Sequence, residues 1–262
     1  MIKFFRKIRI QLLSENKFTK YLLYAIGEII LVVVGILIAL QIDTWNDQRK
    51  TKIAEEKFFK NILLDLEKDS EKLKYYNHFH AKRIEYLDTL LVYVRNPKRS
   101  MGIEKFGKYA EPLYYSVNPT IYSRTFESAK TMGAFNNFKG KELLKDLSQY
   151  YADFVLIENS FSSITRFVES QFEPLMNTLP EGYMTENTGD LVINEENVQE
   201  FYDKVASIKD NRAINYDYER ILRTPSFENY IIGDMGRTYN ALGKIKVRQE
   251  LLNRLKNRIE QK

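Results

Sequence analysis

The sequence predicts an all-α protein in which one N-terminal transmembrane helix is followed by an elongated antiparallel helical bundle. Residues 21–42 hold 22 residues with a single ionisable side chain, Glu28. Apolar residues recur at spacings of three and four along much of the remaining chain, as on one face of an amphipathic helix. Gly and Pro number only 11 and 6, which disfavours a fold with many strands and tight turns.

The apolar segment divides the chain into three predicted parts. Residues 1–20 form a basic amphipathic leader, residues 21–42 the transmembrane helix, and residues 43–262 an extracytoplasmic helical-bundle domain. At ~1.5 Å per residue the segment makes a helix of ~33 Å, enough to cross a hydrocarbon layer of ~30 Å. A cleaved signal peptide has a shorter apolar region that ends in small residues. Residues 39–42 read ALQI, so we expect the helix to remain as an anchor.

Positive charge is concentrated before the anchor. Residues 1–20 contain six basic side chains against one acidic one, whereas residues 43–262 are nearly neutral. The positive-inside rule therefore places the N-terminus in the cytoplasm and the large domain in the periplasm, with the anchor in the inner membrane. We expect membrane lipid, and no nucleic acid, as the partner of this basic cluster. The predicted membrane-interface anchors are Lys3, Arg6, Lys7, Arg9, Lys17, Lys20, Tyr21 and Trp45.

Two interpretations of the leader stay open. Apolar residues recur at helical spacing at Met1, Phe5, Ile8 and Leu12, with basic residues beside them. This pattern suits a short helix lying in the inner-leaflet interface. An unstructured basic leader that only fixes the topology fits the same residues.

The sequence of the first half of the large domain predicts one long helix and one short helix. The long helix follows the anchor and ends at Asn96, because the residue before Pro97 avoids the α region. Residues 97–118 form a connection. Asn118 is a predicted N-cap for a helix over residues 119–132, which Gly133 ends.

The second half predicts three more helices. The first covers residues 141–171 and is interrupted at Glu173-Pro174. A shorter helix over residues 194–208 lies between a polar loop and an irregular stretch. Thr224 and Pro225 begin the last long helix, which runs to about residue 259.

One face of the anchor is predicted to pack against another helix. Projected at 100° per residue, Glu28, Val32, Gly35 and Ala39 share that face, and Gly35-x-x-x-Ala39 lets two helices approach closely. The hypothesis is that this face contacts a second copy or another membrane protein, with Glu28 forming a polar or charge-paired contact between the helices. The alternative is a protonated or snorkelling glutamate near the interface.

No catalytic, cofactor-binding or metal-binding residue is predicted. His78 and His80 lie two residues apart on a helix and point to different sides, so we expect structural or surface histidines. The carboxylates of residues 65–71 alternate with lysines and indicate a solvated face. The sequence has no glycine-rich phosphate loop and no nucleophile elbow.

Paired tyrosines occur three times, at residues 75–76, 114–115 and 150–151. They can line a ligand cleft. A pairing of one core ring with one rim ring is the favoured interpretation.

Several runs of residues carry a family resemblance. These are SENK at 14–17, KYL at 20–22, YAIGEI at 24–29, GILIALQI at 35–42 and WN at 45–46. Together they resemble the opening of a family of uncharacterised single-pass membrane proteins abundant in Bacteroidota, especially flavobacteria. A weaker match covers residues 127–151. The resemblance implies a basic leader, one span and a helical extracytoplasmic domain, and it implies no activity.

The sequence supports three function hypotheses of different classes. The first is a non-enzymatic, membrane-anchored periplasmic scaffold that binds other proteins. The second is a periplasmic ligand-sensing helical module that signals through a partner protein. An enzyme is the third and the least supported. A buried polar pocket would favour sensing, and a continuous exposed apolar patch would favour scaffolding.

Overall fold

The computed structural model describes residues 18–177, 200, 203–204, 207–209, 211 and 218–261. These residues are predominantly helical and contain no strand, with a long apolar N-terminal helix followed by further helices. The predicted all-α fold class is confirmed. Residues 1–17 of the leader and most of the predicted helix over residues 194–208 lie outside the described residues.

Eight α-helices make up the described structure. Short 3₁₀ segments follow α2 and α3 at Glu111–Tyr114 and Ala134–Asn136, and a π-helical turn, Val168–Phe172, joins α5 to α6. The helices are α1 Phe18–Arg95, α2 Ile103–Ala110, α3 Arg124–Thr131, α4 Lys141–Ala152, α5 Val155–Phe167, α6 Glu173–Met176, α7 Tyr218–Leu222 and α8 Pro225–Glu260.

The chain forms two compact units that divide after Phe58. In the first unit, the apolar side chains of α1 from Ile26 to Ile42 are exposed. Among the described residues, α1 is the one helix that is long and apolar enough to cross a membrane, and none of its most apolar window is buried. By length and composition, this helix fits the predicted span.

The second unit, from Phe59 onward, has its own apolar core. Helix α8 runs antiparallel to α4 and α5, since Arg248 contacts Tyr150 and Tyr230 stacks on Phe167. Each large apolar side chain buried there contributes ~1.5–3 kcal/mol. Fully buried members of this core include Ile62, Leu66, Leu87 and Leu90 of α1, Leu147 and Tyr150 of α4, Ile157 and Ile164 of α5, and Ile231, Ile245 and Leu252 of α8.

Several predicted helix ends are confirmed. α1 ends at Arg95, two residues before Pro97. Gly133 ends the α3 region with φ 68°, a left-handed conformation that glycine adopts without strain. α8 begins at Pro225, and the Thr224 side chain accepts a hydrogen bond from the Phe227 N–H.

The predicted start of α3 is wrong. The helix begins at Arg124, and residues 119–123 are not helical. Their backbone groups bond to α1 instead: Thr120 N–H donates to the Tyr76 hydroxyl at 2.9 Å, and Tyr122 N–H donates to Asp69 at 2.8 Å. Tertiary hydrogen bonds therefore override the local N-cap signal of Asn118.

The predicted helix over residues 141–171 is divided. A turn at Asp153 and Phe154 separates α4 from α5. Across this turn the rings of Tyr150 and Phe154 both face the Arg248 guanidinium, at 3.8 and 5.0 Å. The predicted interruption near Pro174 is confirmed, because α5 ends at Phe167 and the π-helical turn follows it. Pro174 lies in the first turn of the next helix, α6, where a missing N–H is tolerated.

Three glycines of α8 differ in their surroundings and predict opposite substitution effects. A Cβ on Gly233 would meet Phe167 at 2.6 Å, whereas nothing lies within 4 Å of one on Gly236 or Gly243. Gly233→Ala is expected to cost ~1–3 kcal/mol, because Phe167 is held between Tyr230 and Arg237. Gly236→Ala is expected to stabilise the fold by up to ~1 kcal/mol.

Thermal unfolding of the detergent-solubilised full chain, followed by circular dichroism, measures both variants. Gly236→Ala serves as the control, because it makes the same change three residues away on the same helix. A Gly233→Ala variant as stable as Gly236→Ala would contradict the close approach of Phe167.

Candidate functional site

A fully buried arginine is the centre of the first polar cluster in the second unit. Arg83 of α1 and Asp234 of α8 both have side chains with 0% exposure. Arg83 Nε donates to Asp234 Oδ1 at 3.0 Å and Nη2 to Oδ2 at 2.5 Å, a bidentate pair. Tyr230 and Thr238 donate their hydroxyls to the same carboxylate at 2.6 and 3.0 Å. We call these four residues the Arg83 cluster.

The remaining donors of Arg83 bond to the connection between α2 and α3. Nη1 donates to the Tyr115 carbonyl at 2.9 Å, and Nη2 donates to the Leu113 carbonyl at 3.0 Å. One guanidinium thus holds α1, α8 and the segment after α2 in a single arrangement. A buried charge is tolerated when it is paired and its donors are satisfied.

The electrostatics of the Arg83 cluster favour the charged pair. Burial acts to raise the pKa of Asp234, but Arg83 and the hydroxyl donors outweigh it and hold that pKa below the usual range. Burial likewise acts to lower the pKa of Arg83, and Asp234 more than offsets this. The pair is therefore ionised at neutral pH and serves to fix the packing of the bundle.

A second polar cluster joins α1, α4 and α8. Asp69 is 3% exposed. It accepts hydrogen bonds from Tyr122 N–H at 2.8 Å and from the Tyr150 hydroxyl at 3.1 Å. Arg248 Nη1 donates to the Tyr150 carbonyl at 2.8 Å. We call Asp69, Tyr150 and Arg248 the Asp69 cluster.

The Asp69 cluster corrects one expectation from the sequence. Residues 65–71 were expected to form a solvated face, yet Asp69 lies in the core. Its backbone and hydroxyl donors come from residues far along the chain, which an alternation of charges cannot reveal. Burial raises the pKa of Asp69, and its hydrogen bonds and Arg248 only partly offset the rise.

The raised pKa of Asp69 predicts a mild effect of Asp69→Asn. The asparagine oxygen can still accept the Tyr122 N–H while the buried charge is removed, so we expect a change of unfolding free energy below ~1 kcal/mol. Asp234→Asn is the control and is expected to cost ~3 kcal/mol, because it leaves Arg83 without its counter-ion.

The two variants also differ in their pH dependence. A raised folded-state pKa means that the contribution of Asp69 to stability is present below about pH 4 and is lost as pH rises. Asp69→Asn should remove this loss, as measured by denaturant unfolding between pH 4 and pH 8. A cost as large as that of Asp234→Asn would contradict the assignment.

His80 is the third buried polar residue of note. It is 2% exposed, its ring lies edge-on to Phe161 at 4.4 Å and Phe79 at 5.3 Å, and neither ring nitrogen has a hydrogen-bond partner. Burial, with Arg83 nearby, lowers its pKa to about 3. His80 is therefore a neutral core residue, whereas His78 is exposed, and the structural or surface interpretation of both is confirmed.

The tyrosine pairs follow the core-and-rim interpretation in two of three cases. Tyr76 is buried while Tyr75 is 39% exposed, and Tyr150 is buried while Tyr151 is half-buried. Tyr114 and Tyr115 are both half-buried. Among the described residues, no group of His, Asp and Glu side chains is arranged to hold a metal ion.

The residues of the predicted helix-packing face lie on α1 as expected from their spacing. Val32 is 53% exposed, and Gly35 and Ala39 are exposed, while Glu28 is intermediate. No heavy atom lies within 4 Å of a Cβ placed on Gly35. The face is available to a partner, and its role stays a prediction.

The predicted interface anchors are only partly described. Trp45 is 65% exposed on α1. Lys20 and Tyr21 lie in the first turn of α1. The anchors that lie outside the described residues are Lys3, Arg6, Lys7, Arg9 and Lys17.

Sequence reasoning missed the Arg83 cluster, although the sequence holds one signal for it. Asp234 and Thr238 follow Phe227 and Ile231 at spacings of three and four, so they occupy core positions of the α8 stripe. A charged residue in such a position predicts a buried partner. The sequence does not identify that partner.

Comparison with known proteins gives one match. The model of a family described as a family of unknown function (DUF6090) matches residues 28–159. No curated protein and no solved structure matches the chain. The matched range runs from Glu28 of the apolar segment into α5, and it includes Arg83, Asp69 and Tyr150.

Proposed function

The chain belongs to this family of unknown function, DUF6090, and we propose that it is a membrane-anchored helical scaffold that binds other proteins. One observation carries the proposal: the N-terminal part of α1 is apolar on all sides and exposed along its length. A helix of this kind exposes more apolar surface than a soluble monomer tolerates. A lipid bilayer accommodates it.

The placement in the cell is part of the same proposal. We expect the inner membrane of a flavobacterial-type envelope, with the N-terminus in the cytoplasm and residues 43–262 in the periplasm. The basic residues before the span support this orientation through the positive-inside rule. The signature that starts at residue 14 supports the flavobacterial origin.

We propose a non-enzymatic role because Arg83 and Asp69 direct their hydrogen bonds to neighbouring groups of the fold. Arg83 directs its donors to Asp234, Tyr230 and two carbonyls, and Asp69 accepts from Tyr150 and Tyr122. Groups paired in this way stabilise a fold, whereas catalytic groups face a substrate.

Localisation and topology test the proposal directly. Membranes from cells that express the full chain are separated and washed with carbonate, and a periplasm-active reporter is fused after residue 262. The chain is expected to stay in the washed inner membrane, and the reporter is expected to be active. A soluble chain, or a reporter active only in the cytoplasm, would refute it.

The span itself is proposed to contact a second copy or another membrane protein. The face of Glu28, Val32, Gly35 and Ala39 offers small residues for close approach and one polar side chain. Gly35→Leu and Glu28→Gln should weaken association in a membrane two-hybrid assay. Leu37→Ala, on the opposite side of the span by the same projection, is the control, and equal signals from all three would contradict the proposal.

The alternative function is a periplasmic ligand-sensing module that signals through a partner. The observation in its favour is that Arg248 Nη2 and the Tyr151 hydroxyl have no hydrogen-bond partner although both atoms are buried. A small polar ligand can satisfy such atoms. A thermal-shift screen with acetate and phosphate tests it, with Arg248→Met as the variant that should abolish any shift.

A further inference from the structure

The outer face of α8 between residues 229 and 243 is uncharged. Six exposed residues share an arc of about 100° on this helix. Ile232 is 46% exposed and Tyr239 is 57% exposed, so two large side chains with apolar surface lie on this face seven residues apart. We call this surface the α8 face, and its members are Asn229, Ile232, Gly236, Tyr239, Asn240 and Gly243.

The rest of the second unit shows what an ordinary outer face of this protein looks like. Most exposed positions of α1 after Phe59 are charged, in keeping with a chain that is 29% charged. These charged positions are Lys60, Glu67, Lys68, Glu71, Lys74, Glu85, Asp88 and Arg95. The uncharged α8 face therefore differs from the exposed face of α1 in the same unit.

The glycines of the α8 face are not explained by the packing of the chain. Glycine weakens a helix interior relative to alanine. Gly233 has an internal reason, since Phe167 lies where its Cβ would be, but nothing lies within 4 Å of a Cβ on Gly236 or Gly243. With Ile232 and Tyr239 beside them, these two positions let the backbone of a partner helix approach closely.

Charge and area together select the partner. In a two-fold symmetric contact each patch meets its own copy, so charges near the axis would repel. The α8 face carries none. It is ~22 Å long and ~10 Å wide, on the order of 200 Å², far below the ~800 Å² per partner of a stable complex. Such a contact needs a partner already held nearby, and two copies anchored in one membrane meet that condition.

We propose that the α8 face binds the same face of a second copy of this chain. The inference rests on the proposed membrane anchoring and names the partner that the scaffold binds. Ile232 and Tyr239 supply the apolar contact, and Gly236 and Gly243 allow the two helices to lie close together.

Cysteine crosslinking in membranes tests the proposal, since the chain contains no cysteine. The full chain with Asn240→Cys, which keeps Ile232 and Tyr239, is expressed and its membranes are oxidised with copper phenanthroline. A disulfide forms when two Cα atoms lie within about 7 Å. We expect a band at twice the 31.0 kDa of the chain, containing this chain alone by mass spectrometry. Asn77→Cys, exposed on α1, is the control and should give little dimer.

A charged substitution in the α8 face provides a second test of the contact. Ile232→Glu, added to Asn240→Cys, should reduce the dimer band about tenfold or more, because two like charges then face each other. An unchanged thermal midpoint of the Ile232→Glu variant shows that its fold is retained. If the midpoint falls, Asn229→Glu is used in place of Ile232→Glu.

Equal crosslinking at Asn240→Cys and Asn77→Cys, or a disulfide to a different protein, would overturn the proposal. Membrane fractionation of the same samples distinguishes a failure of the self-contact from a failure of the membrane anchoring. A chain in the membrane fraction that gives no dimer refutes only the self-contact. A soluble chain refutes the anchoring on which the contact rests.

Discussion

Arg83→Met is expected to cost ~3–5 kcal/mol of unfolding free energy. Methionine fills much of the same volume but leaves Asp234 buried with no counter-ion. It also removes the donors to the carbonyls of Leu113 and Tyr115. Denaturant unfolding of the detergent-solubilised full chain, followed by circular dichroism, measures the change at neutral pH.

The chain offers a matched control for this variant. Arg95 and Glu228 also join α1 to α8, at 2.7 Å, but their side chains are 59% and 34% exposed. Exposed pairs contribute ~0–1 kcal/mol, so Arg95→Met should have little effect. Similar costs for the two variants would show that burial of the Arg83 pair is not what stabilises the bundle.

A second substitution, at Asp234, distinguishes the loss of the ion pair from the loss of side-chain packing. Arg83→Met combined with Asp234→Leu removes both charges, so the double variant is expected to be more stable than Arg83→Met. A double variant that is less stable by the sum of the two single changes would indicate that the two sites do not interact.

Removing the His80 imidazole is expected to make the protein more resistant to mild acid. Burial lowers the pKa of His80 from 6.5 to about 3. Between these values the unfolded chain binds a proton that the folded chain does not, so stability falls as pH decreases. The stability is fully present above pH 6.5 and is lost progressively toward pH 3.

The size of this effect follows from the linkage relation. Each pH unit within the window changes the unfolding free energy by ~1.4 kcal/mol, so about 3 kcal/mol is lost between pH 6.5 and pH 4.5. His80→Leu should remove this part of the pH dependence. The packing cost of His80→Leu is measured as the change in unfolding free energy at pH 8, and it is subtracted from the changes measured at lower pH. Arg83 and Asp234, the charged groups near His80, are retained in the variant.

His78 is the control for the acid experiment. It is the other histidine of the chain and is exposed, so His78→Leu should leave the pH dependence unchanged. Parallel stability curves for the wild type and His80→Leu from pH 8 to pH 4.5 would contradict a buried, neutral imidazole.

Local sequence signals determined the elements that depend on neighbouring residues. The apolar run of the anchor, Pro97 after α1 and the Thr224-Pro225 start of α8 each act within a few positions, and all three helix features were predicted. The failure at Asn118 has a tertiary cause. The local signal was real, but the backbone of residues 119–123 bonds to Tyr76 and Asp69 of α1 instead of forming the first turn of a helix.

The polar clusters lay beyond sequence reasoning. Arg83 and Asp234 are 151 positions apart, and Tyr150 and Asp69 are 81 apart. Forty basic and 35 acidic side chains leave too many pairings to choose among. A stripe of apolar residues marks a buried face, but it does not mark which of the charges beside it has a partner.

The sequence by itself determined that the chain is helical, that it carries one segment able to cross a membrane, and where the longest helices end. These properties follow from hydropathy, periodicity and backbone stereochemistry, which are local. Only the tertiary structure decided that Arg83, Asp69 and His80 lie in the core and that one face of α8 is exposed and uncharged. Burial is a property of the assembled helices, because it depends on which surfaces meet when the bundle forms.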